Sequence, residues 1–279
     1  MDLRNKNNEE IDYGPQFIAD QMLKFVRENK EKPFFVYYPT VIPHLALQAP
    51  EEDIAQYKGK WPETPYVGKR YKPHKTPKAC YAAMISFMDK QVGRLMATLK
   101  ECGLDDNTII FFTSDNGTTF IKEQVDYKFF QSVGPLKGLK GSCYEGGIRV
   151  PFIARYPGKI KPGTVSDIPA ANYDVMATIA ELVGVPAPEH TDGISYLPTL
   201  LGQPEKQKKH EFLYWEFRGK KAVRIGKWKG YGNELYDLEN DIGEKNNIAA
   251  DHPDIAKRMQ EIMSSEHTAE ISKKTAKKK

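Results

Sequence analysis

Apolar positions along the chain recur at two spacings, and the spacing switches several times. Residues 14 to 29, GPQFIADQMLKFVREN, place Ile18, Met22, Phe25 and Val26 on one helical face. Pro33 breaks that pattern, and FFVYYP (34–39) reads as a short buried strand, aromatic and bounded by prolines. From Thr40 to Pro77 periodicity fades in a proline- and aromatic-rich stretch, a length of loop that usually carries function. Residues 78 to 100 give the clearest helix, with Tyr81, Met84, Ile85, Met88, Val92, Leu95, Met96 and Leu99 as a continuous stripe and Gly103 as its stop.

Strand 109–113, strand 150–157 (VPFIARYP) and helix 172–184 follow, the last capped by Asn172 or Asp174 and ended by Gly184. This alternation predicts an α/β fold built on a parallel sheet flanked by helices. Beyond Gln203 the pattern changes. EFLYWEF, AVRIGKWKGY and NELYDLEND are short strand-like runs between glycine and lysine turns, and 252–265 is a closing helix with Ile255, Met259 and Ile262 on one face. A small C-terminal antiparallel sheet with a packed helix is expected. The domains expected are therefore 1–203, an α/β domain; 204–265, a small α+β subdomain; and 266–279, a basic disordered tail.

Composition changes this picture little. Apolar residues are 40% and charged residues 28% of 279, enough for a real core. The net charge of +4 owes five lysines to the tail (273, 274, 277, 278 and 279), and without them the balance is −1. That distribution, with no basic-aromatic platform, argues against a nucleic-acid partner. No apolar run has the length to cross a bilayer, and the polar start MDLRNKNNEEIDYG is not a secretory signal. Localisation does not follow from the sequence. Cys80, Cys102 and Cys143 fit no zinc or redox spacing and read as small buried hydrophobes.

Candidate chemistry begins at TSDNGTTF, residues 113–120, directly behind the apolar strand 109–113. Strand ends of open α/β sheets are where ligands bind, and Asp115 beside Asn116 offers hard oxygen ligands for a cation. Asp-Asn-Gly is equally ordinary turn chemistry. Three further stretches stand out: LKGLKGSCYEGGIRVPFIARYPG (136–158), PFFVYYPTVIPHLALQAP (33–50) with His44, and ELYDLENDIGEKNNIA near the C-terminus.

In that order these four stretches resemble the C-terminal part of a sulfatase, of the alkaline-phosphatase-like superfamily, from about Asp12 to Ile262. That family shows T/S-D-N-G after a strand, then G-K-G-x-x-Y-E-G-G-x-R-x-P, then E-L-Y-D-L-x-x-D-P-x-E-x-x-N-L. Leu139 here replaces the first glycine of the middle motif, and Ile242 and Ile248 replace a proline and a leucine of the last. The resemblance implies a sulfuric ester hydrolase of the arylsulfatase type acting on aryl or carbohydrate sulfates. It implies Asp115 and Asn116 as ligands of calcium or magnesium, and Lys140 and His44 as catalytic and sulfate-binding residues.

Those types suit the chemistry. A sulfate ester gains charge on its leaving oxygen as the S–O bond breaks, so the site needs fixed positive charge and a proton donor. Lys137 competes with Lys140 for its role. Glu145 with Arg149 reads as a structural pair, Asp192-Gly193 as a turn, and His74, His190, His210, His252 and His267 as loop histidines.

The family's nucleophile is a formylglycine made in a C-x-P/A-x-R motif. The cysteines here read CYAAM, CGLDD and CYEGG, and no serine carries the P/A-x-R continuation. The expectation is therefore a C-terminal part only, with the formylglycine segment absent, a missing N-terminal half as partner, and little activity alone. Two alternatives remain: a phosphodiesterase or phosphonate hydrolase of the same superfamily, and a non-catalytic remnant that binds a sulfated glycan or a partner.

Overall fold

The computed structural model describes residues 11–267. Seven α-helices and six strands lie in them: α1 (Gly14–Glu28), α2 (Glu51–Ala55), α3 (Pro77–Glu101), β1 (Ile110–Thr113), α4 (Glu145–Ile148), β2 (Phe152–Arg155), α5 (Asp174–Leu182), α6 (Leu197–Leu200), β3 (Leu213–Phe217), β4 (Lys220–Ile225), β5 (Trp228–Tyr231), β6 (Glu234–Asp237) and α7 (Pro253–Ser265). The basic tail expected at the C-terminus lies outside the described residues from 268 onward. The chain divides into two compact units.

The first unit comprises Met1–Ile110, Ile121–Phe130 and Arg155–Lys159. Its core gathers Ala79, Cys80, Ala83, Met84 and Phe87 of α3 against Ile42, Leu45, Leu47, Ile54 and Val125. α1 packs on α3 through Ala19, Met22, Leu23 and Val26. This face is rotated from the expected one, since Ile18 and Phe25 are exposed. The i, i+3, i+4, i+7 set that includes small Ala19 lets the helices approach closely. Asp20 reaches Arg94 of α3 at 2.7 Å and supports the same pairing.

The second unit comprises Phe111–Phe120, Gln131–Ala154 and Ile160–Lys279. Its main sheet is antiparallel in the order β3-β4-β5-β6, with Leu213 opposite Arg224, Val223 opposite Gly230 and Gly230 opposite Leu235. The inward faces alternate, so Val223 and Leu235 meet Met259 and Met263 of α7. The small antiparallel sheet with a packed helix, expected from the C-terminal pattern, is thus present.

The parallel sheet is not. Among the described residues β1 and β2 form a two-stranded sheet, and no parallel sheet is resolved. Residues 34–39 form no strand, and Phe35 and Tyr37 are exposed by 68% and 79%. An apolar run reports a preference for burial, whereas a strand also needs a neighbour to pair with.

Candidate functional site

The second unit brings together three of the stretches singled out by sequence. β1 ends at Thr113 and the chain turns through Ser114, Asp115 and Asn116. Ser114 Oγ donates to the Asn116 carbonyl at 3.1 Å, and Asn172 Nδ2 donates to the Ser114 carbonyl at 3.1 Å. Both bonds hold the turn through its backbone and leave the exposed Asp115 carboxylate without a hydrogen bond or ion pair among the described residues.

The glycine-rich loop 136–149 is tied directly to this turn. Gly117 N–H donates to the Gly147 carbonyl at 2.9 Å, and Lys140 N–H donates to the Thr118 carbonyl at 2.8 Å. The approach is close enough to require glycine. A Cβ at Gly117 would stand 2.0 Å from the Gly146 carbonyl oxygen, and one at Gly146 would stand 2.4 Å from that of Gly138. Lys140 is half-buried, and its ammonium has no partner among the described residues.

Lys137 has a different place. Its Nζ donates to Tyr236 Oη at 3.1 Å and to the Glu244 carbonyl at 3.0 Å, and lies 4.1 Å from the Tyr144 ring centroid. It is one of several anchors between the loop and the C-terminal sheet. Tyr144 stacks on Tyr231 at 3.9 Å and donates to Glu234 at 2.6 Å. Glu145 N–H donates to Glu244 Oε2 at 2.8 Å, and Lys229 Nζ donates to Glu145 Oε1 at 2.7 Å. The ELYDLENDIGE run therefore clamps the KGSCYEGG loop, although about a hundred residues separate Glu145 from Glu244.

Electrostatics follow from this burial. Burial pushes the Glu244 carboxyl up to about 7, against the pull of Lys229. Burial also raises the Tyr144 hydroxyl, reinforced by the Glu234 carboxylate. For Glu234 burial acts in the same upward direction, but the two tyrosine hydroxyls and Lys137 outweigh it and hold the carboxyl below its usual value.

These anchors were not visible in the sequence. Lys229 lies in the strand-like run AVRIGKWKGY, where nothing marks a lysine for the interior, yet it is wholly buried. Glu145 was expected to pair with Arg149. That contact exists at 3.6 Å, but the shorter one is to Lys229. Asp174 was expected as a helix cap; instead it heads α5, accepts from the amides of Ala171 and Ile194, and meets His210 at 2.9 Å.

His44 belongs to the first unit. It follows Pro43 in a turn closed by its own N–H donating to the Val41 carbonyl at 2.8 Å. Nδ1 lies 2.5 Å from the Leu45 carbonyl, which can only accept, so Nδ1 carries the hydrogen and Nε2 is left for a ligand. The ring is exposed, and its edge meets Tyr71 with centroids 6.5 Å apart.

The donor set meets a divalent cation only in part. Asp115 and Asn116 offer oxygen, the donor that hard cations take, but calcium takes six to eight such ligands. No group of three or more His, Cys, Asp or Glu suited to a metal comes together among the described residues. The two residues fit part of a coordination shell by donor type.

Comparison with known proteins places this arrangement in a class. The backbone matches alkaline-phosphatase-like enzymes of known structure. The structure of Ps i-CgsB in complex with k-i-k-neocarrahexaose superposes with a TM-score of 0.74 at 29% identity, covering 94% of this chain and 56% of that one. A phosphonate monoester hydrolase of Agrobacterium radiobacter shares the fold alone, with a TM-score of 0.65 at 21% identity over 93% of this chain and 63% of that one. The family model described as Sulfatase matches residues 2–185, and the one described as N-sulphoglucosamine sulphohydrolase, C-terminal, matches residues 139–269. The chain belongs to the sulfatase family.

An N-acetylgalactosamine-6-O-sulfatase of Bacteroides thetaiotaomicron is 30% identical over 278 residues, 90% of this chain and 50% of its own length. The chain spans between 49% and 59% of the length of the first curated relatives it matches. One expectation is corrected here. A resemblance confined to the C-terminal part of a sulfatase, with the N-terminal region absent, does not hold, because the family match starts at residue 2.

Proposed function

We propose that this chain acts in the hydrolysis of carbohydrate sulfate esters, with Asp115, Asn116, Lys140 and His44 as its binding and catalytic residues. The observation that carries the reading is the pair of backbone hydrogen bonds joining the Lys140 loop to the Asp115-Asn116 turn. They hold an ammonium and a carboxylate, both unpartnered among the described residues, on one locked piece of backbone. Lys140 neutralises charge on the sulfate oxygens. Its competitor Lys137 is committed to Tyr236 and Glu244. His44 directs Nε2 to the substrate and, when protonated, gives its proton to the leaving oxygen as the S–O bond breaks.

Asp115 and Asn116 would supply oxygen ligands to a calcium (or magnesium) ion, which when bound adds fixed positive charge for the sulfate. Members of this family typically use a formylglycine nucleophile. No residue of this sequence stands in the C-x-P/A-x-R pattern, so no step is assigned to one. The relative with N-acetylgalactosamine-6-O-sulfatase as its name supports a sulfated amino sugar as substrate.

The test is hydrolysis and calorimetric binding of 6-O-sulfated N-acetylgalactosamine and an aryl sulfate, with calcium or with chelator, and a phosphodiester as comparison. Binding of the sulfates is expected to need calcium and to weaken at least about tenfold in Asp115→Ala and Lys140→Ala, the order of one lost charge-assisted contact. Binding indifferent to calcium and to both substitutions, or preference for the phosphodiester, would overturn the assignment.

A further inference from the structure

Residues 57–77 belong to the stretch from Thr40 to Pro77 expected as functional loop, and the first unit gives them a definite shape. Tyr66 and His74 exchange backbone hydrogen bonds in both directions at 2.9 Å, closing an antiparallel hairpin. The buried Tyr66 hydroxyl accepts from the amides of Lys69 at 2.8 Å and Arg70 at 3.0 Å, so the hairpin tip is fixed from within. The base is pinned by Glu63, whose carboxylate accepts from the amides of Lys78 and Ala79 in the first turn of α3.

Charge is concentrated on the segment that holds this hairpin, although Lys58 pairs with Glu51 and Lys78 reaches Asp126 at 3.7 Å. Residues 57–78 hold seven cations (Lys58, Lys60, Lys69, Arg70, Lys72, Lys75 and Lys78) and one carboxylate, Glu63. Their net charge is +6 in a chain whose total is +4, so all the rest sums to −2. Lys69, Arg70 and Lys75 are exposed and make no ion pair among the described residues. A charge run is ordinarily a solvated face. Two features set this one apart: its backbone is built rather than loose, and its Tyr71 meets the ring of His44.

We infer that this hairpin is a docking surface for the sulfated sugars that flank the one presented to His44, and so selects an extended, multiply sulfated glycan. The inference rests on the assignment of His44 above and deepens it. A single sulfate engages His44; neighbouring sulfates on the same chain meet Lys69, Arg70 and Lys75. Nucleic acid fits less well. Tyr57 and Trp61 stack on each other, with an interplanar angle of 15°, and Phe129 and Phe130 meet Trp61 edge-on, so the rings serve each other before any base.

The experiment compares the full chain with a triple variant, Lys69→Ser, Arg70→Ser and Lys75→Ser, and with a charge-matched control, Lys24→Ser, Lys208→Ser and Lys257→Ser. Affinity for a heparin hexasaccharide is measured by calorimetry at several salt concentrations. The triple variant is expected to lose about tenfold in affinity, the order expected for three exposed ion pairs, and part of its salt dependence. The control is expected to lose little, and monosaccharide sulfate binding to stay unchanged in both.

Equal affinity in the triple variant, or an equal loss in the control, would overturn the proposal. Tighter binding of single-stranded DNA than of hexasaccharide would replace it with a nucleic-acid surface. A hexasaccharide effect without any monosaccharide sulfate binding would keep the hairpin as a surface for sulfated glycan but remove the assignment of His44, and with it the flanking position of the bound sugars.

Discussion

Lys229 Nζ lies 2.7 Å from Glu145 Oε1, and neither side chain reaches solvent. The contact joins β5 to the short helix at the end of the loop that carries Lys140. Arg149 and Arg224 approach the other oxygen of Glu145 at 3.6 and 3.9 Å. A buried charge pair gains little over an apolar pair of the same shape, but breaking one half strands the other.

Lys229→Met is therefore expected to destabilise the protein by about 1–3 kcal/mol, since Glu145 loses its closest partner but still faces Arg149 and Arg224. Adding Glu145→Gln removes that charge and should recover a good part of the loss. Urea unfolding of the two single variants and the double variant measures the coupling. Additive effects would show that the ion pair does not hold loop and sheet together.

Glu244 gives the same region a pH dependence. Its Oε1 has no hydrogen-bond partner, Lys229 is 4.0 Å away, and its carboxyl is pushed up to about 7. A carboxyl raised in the folded state binds protons that the unfolded chain has released. Its stabilising contribution is complete below about 4.5 and disappears as pH rises through 7. Stability should thus fall between pH 5 and 8 by up to roughly 3 kcal/mol from this group. Glu244→Gln should flatten that segment of the profile and keep the acceptor for the Glu145 amide. Parallel wild-type and variant profiles over this range would contradict the assignment.

The physical reasons for what the sequence disclosed differ from element to element. That α3 is a helix was legible from eight apolar side chains at helical spacing, but its buried face was not: Tyr81, Met84 and Leu99 of that stripe are buried, Ile85 is exposed, and Phe87, Gln91 and Thr98 outside it are buried. Nor was the face of α1, because Ile18 and Phe25 lie beside Ala19 and Leu23, and only contact with α3 chooses between neighbouring stripes. The run 34–39 has strand composition, yet pairing depends on a neighbour that no local pattern encodes. Asp115 and Asn116 were singled out by their place at a strand end and by motif resemblance, and Lys140 by motif resemblance. Their spacing says nothing of the two backbone bonds that bring the turn and loop together. Lys229 and Glu244 look like solvated charges in a row of residues, because each finds its partner on another element.

Gly117 tests the junction of the two loops. An added Cβ would meet a backbone oxygen at 2.0 Å, and backbone cannot rotate away as a side chain does. Gly117→Ala should separate the Asp115 turn from the Lys140 loop, cost several kcal/mol by overpacking, and weaken calcium-dependent sulfate binding. Gly93→Ala, on α3 with open space around it, is the control and should leave both unchanged or raise stability slightly. Thermal melts and calorimetry read the two quantities separately. Normal binding in Gly117→Ala would mean that the contact between turn and loop is dispensable.

Lys137 and Lys140 stand three residues apart and should answer to different measurements. Lys137 holds a hydroxyl and a carbonyl of the C-terminal region and lies over two tyrosine rings. Lys137→Ala removes those bonds and should lower stability by about 1–3 kcal/mol, the range for hydrogen bonds to a charged group, with a smaller effect on sulfate affinity. Lys140 gives its backbone to the junction and keeps its ammonium unpaired among the described residues. Lys140→Ala should leave the melting temperature nearly unchanged and reduce sulfate affinity, and Lys140→Arg should restore part of it by returning the charge. The reverse pattern, stability lost at 140 and affinity lost at 137, would exchange the two roles and move the sulfate to the face beneath Tyr144.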